Sequence, residues 1–245
     1  MAELLNENKM EDNSGNSIQK EEISNHIETS VRQIKRLMYS YLDNPETASK
    51  ADKLAYWLEN YNRFLSFEDS FDPTYLKRYK RGDILKVNLG YNIGNEEGGL
   101  HYCIVVDKNN LRGSGVITVI PLTSYKGKEI HFSSVFLGDE IYTNFKDKYD
   151  KSMMDLSKKI LSLNVNNSTP EEIKSALDDL NYIKKMHDEI QKMKKGSVAL
   201  VSQITTVSKQ RIYDPQKNRD ILSGLRISDK SLDLINEKMK QLFIK

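Results

Sequence analysis

The chain has 245 residues, of which 38% are hydrophobic and 29% are charged. This composition is too apolar for a wholly disordered chain, and the length suits one or two folded domains. The single cysteine, Cys103, excludes an intrachain disulfide and a cysteine-based zinc site. The sequence has no apolar run of about 18 residues and no signal-peptide pattern at its start, so we expect a soluble cytoplasmic protein with no membrane partner.

Positive and negative charges are unevenly distributed, although the formal net charge is only +2. Residues 1–72 carry a net negative charge and residues 73–245 a net positive charge. A basic excess suits nucleic-acid binding, because cations pair with backbone phosphates. The excess lies in residues 73–80, 151–195 and 196–245, so it favours RNA binding only if those parts border the binding groove.

The acidic first part of the chain is predicted to be a helical extension. Residues 1–17 are typical of a disordered acidic tail, and residues 18–72 of a hairpin of two helices. Pro45 is expected in the first turn of the second helix, and Asp72-Pro73 is expected to end it. The first helix carries an apolar seam suited to a partner helix. The seam consists of Ile27, Val31, Ile34, Met38 and Tyr41.

Short β-strands are predicted in the rest of the chain, residues 73–245. Alternating or β-branched apolar segments separated by polar and glycine-rich loops favour a small antiparallel sheet or barrel. The predicted strands are Asp83–Leu89, Tyr102–Val106, Val116–Leu122, His131–Leu137 and Ser197–Val201.

Helical patterns interrupt and follow these strands. Residues 148–195 are predicted to be a helical insertion, in which Thr169 and Glu172 form a capping box. Its long apolar stripe is expected to pack on the N-terminal hairpin or on a second subunit. The stripe of the insertion consists of Ile173, Leu177, Leu180, Ile183, Met186, Ile190 and Met193. A final helix is predicted from Asp229 to Phe243, capped by Ser228.

A glycine-rich loop is the most informative segment for chemistry. The sequence lacks the Walker, GxGxxG, HExxH and GxSxG motifs, and its four histidines lack metal-ligand spacing, so we expect no metal and no cofactor. Between the first two strands, glycines recur at Gly90, Gly94, Gly98 and Gly99. Glycine permits close backbone approach, so this loop either follows a phosphodiester chain or is an ordinary hairpin connection.

Three motifs occur in a fixed order along the chain. Residues 81–102 contain RGD, a strand and then GNEEGGLHY. Residues 121–124 are PLTS, and residues 197–212 are SVALVSQITTVSKQRI. Together these motifs resemble the MazF/PemK (Kid) family of toxin endoribonucleases from type II toxin–antitoxin systems. The resemblance covers about residues 79–145 and 196–245.

This resemblance implies both a fold and an activity. The implied fold is α+β, an SH3-like antiparallel β-barrel extended by the N-terminal hairpin, the helical insertion and the C-terminal helix. The implied activity is that of an mRNA interferase, a metal-independent hydrolase that cuts single-stranded RNA at short motifs. In it the 2′-hydroxyl attacks the adjacent phosphate, leaving 2′,3′-cyclic phosphate and 5′-hydroxyl ends. The implied partners are mRNA, a small acidic antitoxin protein and a second copy of the chain.

The resemblance also assigns three catalytic positions. Thr123 matches the family's catalytic threonine, and Glu96 matches the acidic residue of the glycine-rich motif, as a base or a loop organiser. His101 stands where the family usually has Arg, and Tyr102 where it has Pro. Arg carries a permanent charge, whereas histidines in general titrate near neutral pH. Either His101 is therefore a working acid/base, or the site has lost its main cation and does not cut.

Further residues are expected to bind RNA beside these. Some are residues of the glycine-rich loop that lie along the RNA backbone, some are tyrosines that stack on unpaired bases, and some are lysines and an arginine that contact phosphates. The set comprises Gly98, Gly99, Asn95, Tyr91, Tyr102, Ser124, Lys126, Lys128, Lys86 and Arg211. For the lysines, an ordinary solvated surface is the alternative.

Two other functions fit the same sequence. One is a non-catalytic module of the same fold that binds DNA, RNA or a protein, and the other is a protein-directed toxin like the gyrase poisons that share this barrel. The acidic residues 1–72 suggest either a segment that restrains the basic barrel as an antitoxin would, or a simple dimerisation hairpin.

Overall fold

The computed structural model describes residues 2–163 and 168–244, with side chains described from Ile18 onward. The chain divides into two compact units, Met1–Arg63 and Phe64–Lys245. Within the described residues, we find no helix that combines the length and the apolar character needed to cross a membrane.

The first unit begins with helix α1 (Ala2–Leu42). This helix includes residues 2–17, for which the sequence predicted a disordered tail; Met1 and the side chains of residues 2–17 lie outside the described part of the chain. Along the predicted apolar seam, the C-terminal residues Ile34 and Met38 are half-buried, whereas Ile27 is 57% exposed.

Helix α2 (Ala48–Ser66) follows α1 after a short turn. We expected Pro45 in its first turn, but the helix starts later because the Asn44 side chain accepts a hydrogen bond from the Glu46 N–H at 3.0 Å and closes a turn there. It also ends before the predicted Asp72-Pro73 boundary, where a single 3₁₀ turn forms instead.

Seven short strands of the second unit form one antiparallel sheet within the described residues. They are β1 (Ile84–Asn88), β2 (Leu100–Val105), β3 (Val116–Ser124), β4 (Val135–Gly138), β5 (Ser197–Ala199), β6 (Thr205–Ser208) and β7 (Ile212–Asp214). The spatial order is β4-β5-β3-β2-β1-β7, and β6 also pairs with β3. The long strand β3 therefore pairs with β2 on one side and with both β6 and β5 on the other.

The sheet is not closed, because the path of paired strands ends at β4 and at β7. The mixed α+β class and the antiparallel pairing are confirmed, but a closed SH3-like barrel is not. Strands β6 and β7 were missed from the sequence. Each has only three or four residues and adjoins the 3₁₀ turn Lys209–Arg211, so no alternation is long enough to be detected.

Three helices complete the second unit. They are α3 (Glu140–Ser162), α4 (Pro170–Lys192) and α5 (Asp229–Phe243). The first of these starts before the predicted boundary at residue 148. The predicted capping box is confirmed, since the Thr169 hydroxyl accepts from the Glu172 N–H at 3.2 Å and the Thr169 N–H donates to Glu172 Oε2 at 2.8 Å. The Ser228 cap of α5 is confirmed as well, at 3.2 Å from the Ser231 N–H.

The sheet separates two apolar clusters. One face carries the smaller cluster, which includes Val87, Cys103 and Val119. The opposite face carries the larger cluster, to which helices α3, α4 and α5 contribute. The inward residues Met186 and Ile190 of α4 thus pack on the sheet core, whereas we expected its stripe to pack on the hairpin or on another subunit. The stripe residues that stay exposed are Ile173, Leu177 and Leu180.

Candidate functional site

The glycine-rich loop between β1 and β2 is ordered by its own backbone. The Gly99 N–H donates to the Gly90 carbonyl at 2.6 Å, and the Leu89 N–H donates to the Gly99 carbonyl at 2.7 Å. A Cβ placed on Gly98 would lie 2.8 Å from the Gly90 carbonyl oxygen, closer than real Cβ atoms approach. The backbone therefore requires glycine at position 98, where strands β1 and β2 converge into the loop.

A side chain from outside the loop holds its tip. The amide oxygen of Gln203 accepts from the Glu97 N–H at 2.6 Å, and its amide nitrogen donates to the Asn95 carbonyl at 3.2 Å. Gln203 belongs to the third sequence motif, although the sequence suggested no task for it. The first and third motifs are thus joined directly by two hydrogen bonds.

Strand pairing brings His101 and Thr123 together. The β2–β3 register ends at the pair Cys103–Pro121, and His101 and Thr123 each lie two residues beyond that pair along their own strands. Both side chains point to the face that carries the Cys103 cluster, because side chains alternate along a strand. They line a cleft of about 220 Å³, which they share with Ser124, Ser197, Lys192 and Lys194.

Both ring nitrogens of His101 face acceptors. Nδ1 lies 3.2 Å from the Leu122 carbonyl oxygen, and Nε2 lies 3.0 Å from Glu97 Oε1. A carbonyl and a carboxylate both accept hydrogen bonds, so an imidazolium, which donates from both nitrogens, satisfies both contacts. The side chains of His101 and Glu97 are 27% and 24% exposed, which leaves them open to a ligand. The arrangement is a hydrogen-bonded pair of a histidine and a carboxylate at the edge of the cleft.

The Thr123 hydroxyl lies beside this pair. The residue is half-buried on β3, and its hydroxyl has no hydrogen-bond partner within residues 18–163 and 168–244. Its neighbour Ser124 is also half-buried, opposite Ser197 of β5. Hydroxyls with free donors in a small cleft can donate to a bound anion.

The acidic residue paired with His101 is Glu97, not Glu96. The exposed Glu96 lines a second depression together with Asn95 and Arg211, and Glu97 also lines that depression while it contacts His101. The structure thus brings two of the three predicted catalytic residues into one cleft, and it separates the third from them. Sequence spacing alone did not distinguish between two adjacent glutamates of the same loop.

Two of the predicted RNA-binding residues contact a buried carboxylate instead of solvent. Glu189 of α4, only 7% exposed, accepts hydrogen bonds from Lys86 Nζ and from the Tyr102 hydroxyl. Lys86 Nζ also lies 5.3 Å from the centre of the Tyr102 ring. This Glu189 cluster, made of Glu189, Lys86 and Tyr102, joins α4 to strands β1 and β2.

Burial and contacts shift the pKa values of the cluster in opposite directions. Burial, followed by the hydrogen bond and charge of Glu189, raises the pKa of Tyr102 far above its ordinary range. Burial also pushes the pKa of Glu189 upward, but the hydrogen bonds from Lys86 and Tyr102 and the Lys86 charge outweigh it and hold that pKa below its usual value. The cluster is therefore a carboxylate with a neutral tyrosine and a cationic lysine.

Among the remaining predicted RNA-binding residues, Ser124 lines the cleft, and Asn95 and Arg211 line the second depression. Lys126 and Lys128 are exposed on the loop that follows β3, and Tyr91 is half-buried in the glycine-rich loop. Arg211 Nε donates to the Asn88 carbonyl at 2.8 Å, and burial lowers the pKa of its guanidinium. The two lysines, Tyr91 and Arg211 do not line the cleft of His101 and Thr123 in the part of the chain that the structure describes.

Neither a reactive cysteine nor a metal-binding cluster is found among the side chains that the structure describes. Cys103 is fully buried in β2, and burial raises the pKa of its thiol, which is typical of an inert core cysteine. In residues 18–163 and 168–244, His, Cys, Asp and Glu side chains do not gather in threes in a way that could hold a metal ion.

A comparison with known proteins gives a family match that is consistent with the mixed α+β fold. Residues 80–157, from the strand before the glycine-rich loop into α3, match a family described as PemK-like, MazF-like toxin of type II toxin–antitoxin system. That match covers about a third of the chain and does not extend over the third motif at residues 197–212. No curated protein matches the chain. Residues 80–157 thus carry a domain of the PemK-like, MazF-like toxin family of type II toxin–antitoxin systems.

Proposed function

We propose that the chain is the toxin of a type II toxin–antitoxin pair and that it cuts single-stranded RNA without a metal ion. The observation that carries this proposal is the cleft in which His101, with Glu97 at 3.0 Å, lies on the same sheet face as the Thr123 hydroxyl. The cleft of about 220 Å³ offers His101 as a proton donor and Thr123 as a hydroxyl donor. The proton acceptor, Glu97, contacts His101 from the neighbouring depression that it lines. These are the groups that transfer of a phosphoryl group to a neighbouring hydroxyl requires.

The reaction proposed for this cleft moves two protons. The Glu97 carboxylate takes the proton of the ribose 2′-hydroxyl while the 2′-oxygen attacks the adjacent phosphorus. The imidazolium of His101 gives its Nε2 proton to the departing 5′-oxygen, and Thr123 donates to a non-bridging oxygen that gains charge. The products are a 2′,3′-cyclic phosphate and a 5′-hydroxyl end. A proton then passes from Glu97 to His101 across their contact and restores the starting state.

The partners and quaternary structure follow from the same proposal. We propose that mRNA is the substrate, that a small acidic protein is the antitoxin and that the toxin acts as a homodimer in the cytoplasm. We propose that the pairing of β3 with both β5 and β6 on one side is the counterpart of part of an SH3-like barrel.

Cleavage of a defined single-stranded RNA, with mapping of both new ends, tests the activity. We expect the purified chain to cut and to leave 2′,3′-cyclic phosphate and 5′-hydroxyl ends, in buffer with and without EDTA. Thr123→Ala and His101→Ala should each lose cutting, whereas Thr118→Ala, on the same strand outside the cleft, should keep it. Intact RNA with the wild-type chain, or full activity of Thr123→Ala, would contradict the proposal.

One observation favours a second function, a binding module that no longer cuts. Both ring nitrogens of His101 are occupied by Glu97 and Leu122, so the ring gives up a hydrogen bond whenever it contacts a phosphate. The wild-type chain would then bind RNA and leave it intact. In that case His101→Arg, which restores a permanent charge with a bidentate donor, is expected to produce cutting.

A further inference from the structure

The cleft of His101 and Thr123 lacks the cations that the sequence analysis expected there. Lys86 is paired with Glu189, and Arg211 lines the other depression. Of the described side chains that line the cleft, those with a permanent positive charge are Lys192 and Lys194. Both are exposed, and both come from the end of the helical insertion.

Residues 189–196, the segment that carries these two lysines, are held at both ends by contacts with the rest of the second unit. On the helix side, Glu189 is bound by Lys86 of β1 and by Tyr102 of β2. On the other side, the Gly196 N–H donates to Asp139 Oδ1 at 2.8 Å. The Gly196 carbonyl also accepts from the Tyr125 N–H at 2.8 Å. A Cβ on Gly196 would lie 2.8 Å from Tyr125 Cβ, so this approach of the segment to β3 requires glycine.

The third lysine of the segment is directed elsewhere. Lys195 Nζ lies 5.5 Å from the centre of the Tyr142 ring, a cation–π contact on α3. Lys192 and Lys194 are the two that line the cleft. Their charges stand beside the His101 and Thr123 side chains, where an RNA phosphate would be bound.

We infer that Lys192 and Lys194 bind the RNA backbone phosphate at the cleft and supply the permanent positive charge there. This inference rests on the proposed function. It assigns the helical insertion a direct part in substrate binding: α4 ends at Lys192, Lys194 follows two residues later, and the Glu189 cluster fixes the end of the helix. A lysine contributes as a point charge, so the contact is sensitive to salt.

Measurement of RNA affinity against salt tests the inference. A single-stranded RNA with a 2′-deoxy linkage, which cannot be cut, is titrated with wild-type protein, Lys192→Gln/Lys194→Gln, and the control Lys174→Gln/Lys184→Gln. The control removes the same charge from exposed positions of the same helix outside the cleft. Loss of two phosphate contacts lowers the slope of log affinity against log salt by about 1.4. Between 50 and 200 mM salt, wild-type protein should thus lose about sevenfold more affinity than the cleft variant.

The outcomes separate this inference from the proposed function. A reduced slope in the cleft variant, an unchanged slope in the control and recovery in Lys192→Arg/Lys194→Arg support the inference, because a folding defect would not be repaired by arginine. If wild-type protein binds and cuts RNA but the cleft variant matches the control, the inference is wrong and the proposed function stands. If wild-type protein neither binds nor cuts RNA, both are wrong.

Discussion

The Glu189 cluster predicts a large and specific loss of stability when its carboxylate is removed. The side chains of Lys86 and Glu189 are only 15% and 9% exposed. Removing one member of a buried pair costs about 3–5 kcal/mol, because the remaining charge stays buried without compensation. In Glu189→Leu, the Tyr102 hydroxyl also loses its acceptor, worth about 1–3 kcal/mol. Since Lys86 keeps some access to water, we expect a total loss of about 4 kcal/mol.

The double variant Lys86→Met/Glu189→Leu should recover part of this loss. It removes the buried positive charge and leaves the Tyr102 hydroxyl as the main unsatisfied group. We expect it to be destabilised by about 1–2 kcal/mol. Replacing both members of a buried pair by apolar residues is often nearly neutral, which is why the double variant is the sharper test. Asp188→Leu, a neighbouring exposed acid on the same helix, should stay within about 0.5 kcal/mol of wild type.

Urea unfolding at pH 7, followed by circular dichroism, measures these differences. The pH dependence adds a second readout, because the Glu189 pKa is held below its ordinary value of 4.5. A carboxylate with a lowered folded-state pKa stabilises the fold above that ordinary value and loses this contribution as the pH falls through the lowered value. The difference in unfolding free energy between wild type and Glu189→Leu should therefore become smaller below about pH 4.5. The reasoning fails if Glu189→Leu stays within about 1 kcal/mol of wild type, or if the double variant is as unstable as the single one.

Three further predictions concern the loop and a buried acid. Gly98→Ala should reduce RNA cutting by about a hundredfold, since its Cβ displaces the loop; Gly113→Ala, whose Cβ meets no atom within 4 Å, should leave cutting rates unchanged. Gln203→Ala removes two hydrogen bonds from the loop, so limited proteolysis within residues 90–99 should speed up by about tenfold or more. An unchanged cleavage rate would show that the loop keeps its structure without Gln203. Burial raises the pKa of Asp214 to about 6, so its ionisation destabilises the fold as the pH rises through that value. Asp214→Asn should unfold at a higher urea concentration than wild type at pH 7, and this difference should disappear by about pH 4. An equal difference in urea midpoint at pH 7 and pH 4 would contradict the assigned pKa.

Local patterns in the sequence were sufficient for the elements that form from their own residues. The apolar run around Cys103 and the β-branched residues around Ile120 identified the central strands β2 and β3. The pattern at Thr169 identified a capping box that forms as expected. Strands β6 and β7 were missed because each is stabilised by pairing with a distant strand and is too short to show a period of its own.

The cleft was predictable in part, because two of its members belong to paired strands. The resemblance to the MazF/PemK family was enough to suggest that His101 and Thr123 act together, and both side chains line the cleft. The choice between Glu96 and Glu97 was not predictable, since it depends on the path of a loop held by Gln203 from more than a hundred residues away.

By itself, then, the sequence determined the antiparallel α+β class, the main strands and helices, and the family of residues 80–157. These features follow from periodicity, caps and short motifs, which are local. Only the tertiary structure decided that the sheet stays open, that Lys86 and Tyr102 bind Glu189, and that Lys192 and Lys194 line the cleft. Those contacts join residues far apart in the chain. The ion pair between Lys86 and Glu189 forms only when α4 packs against the sheet.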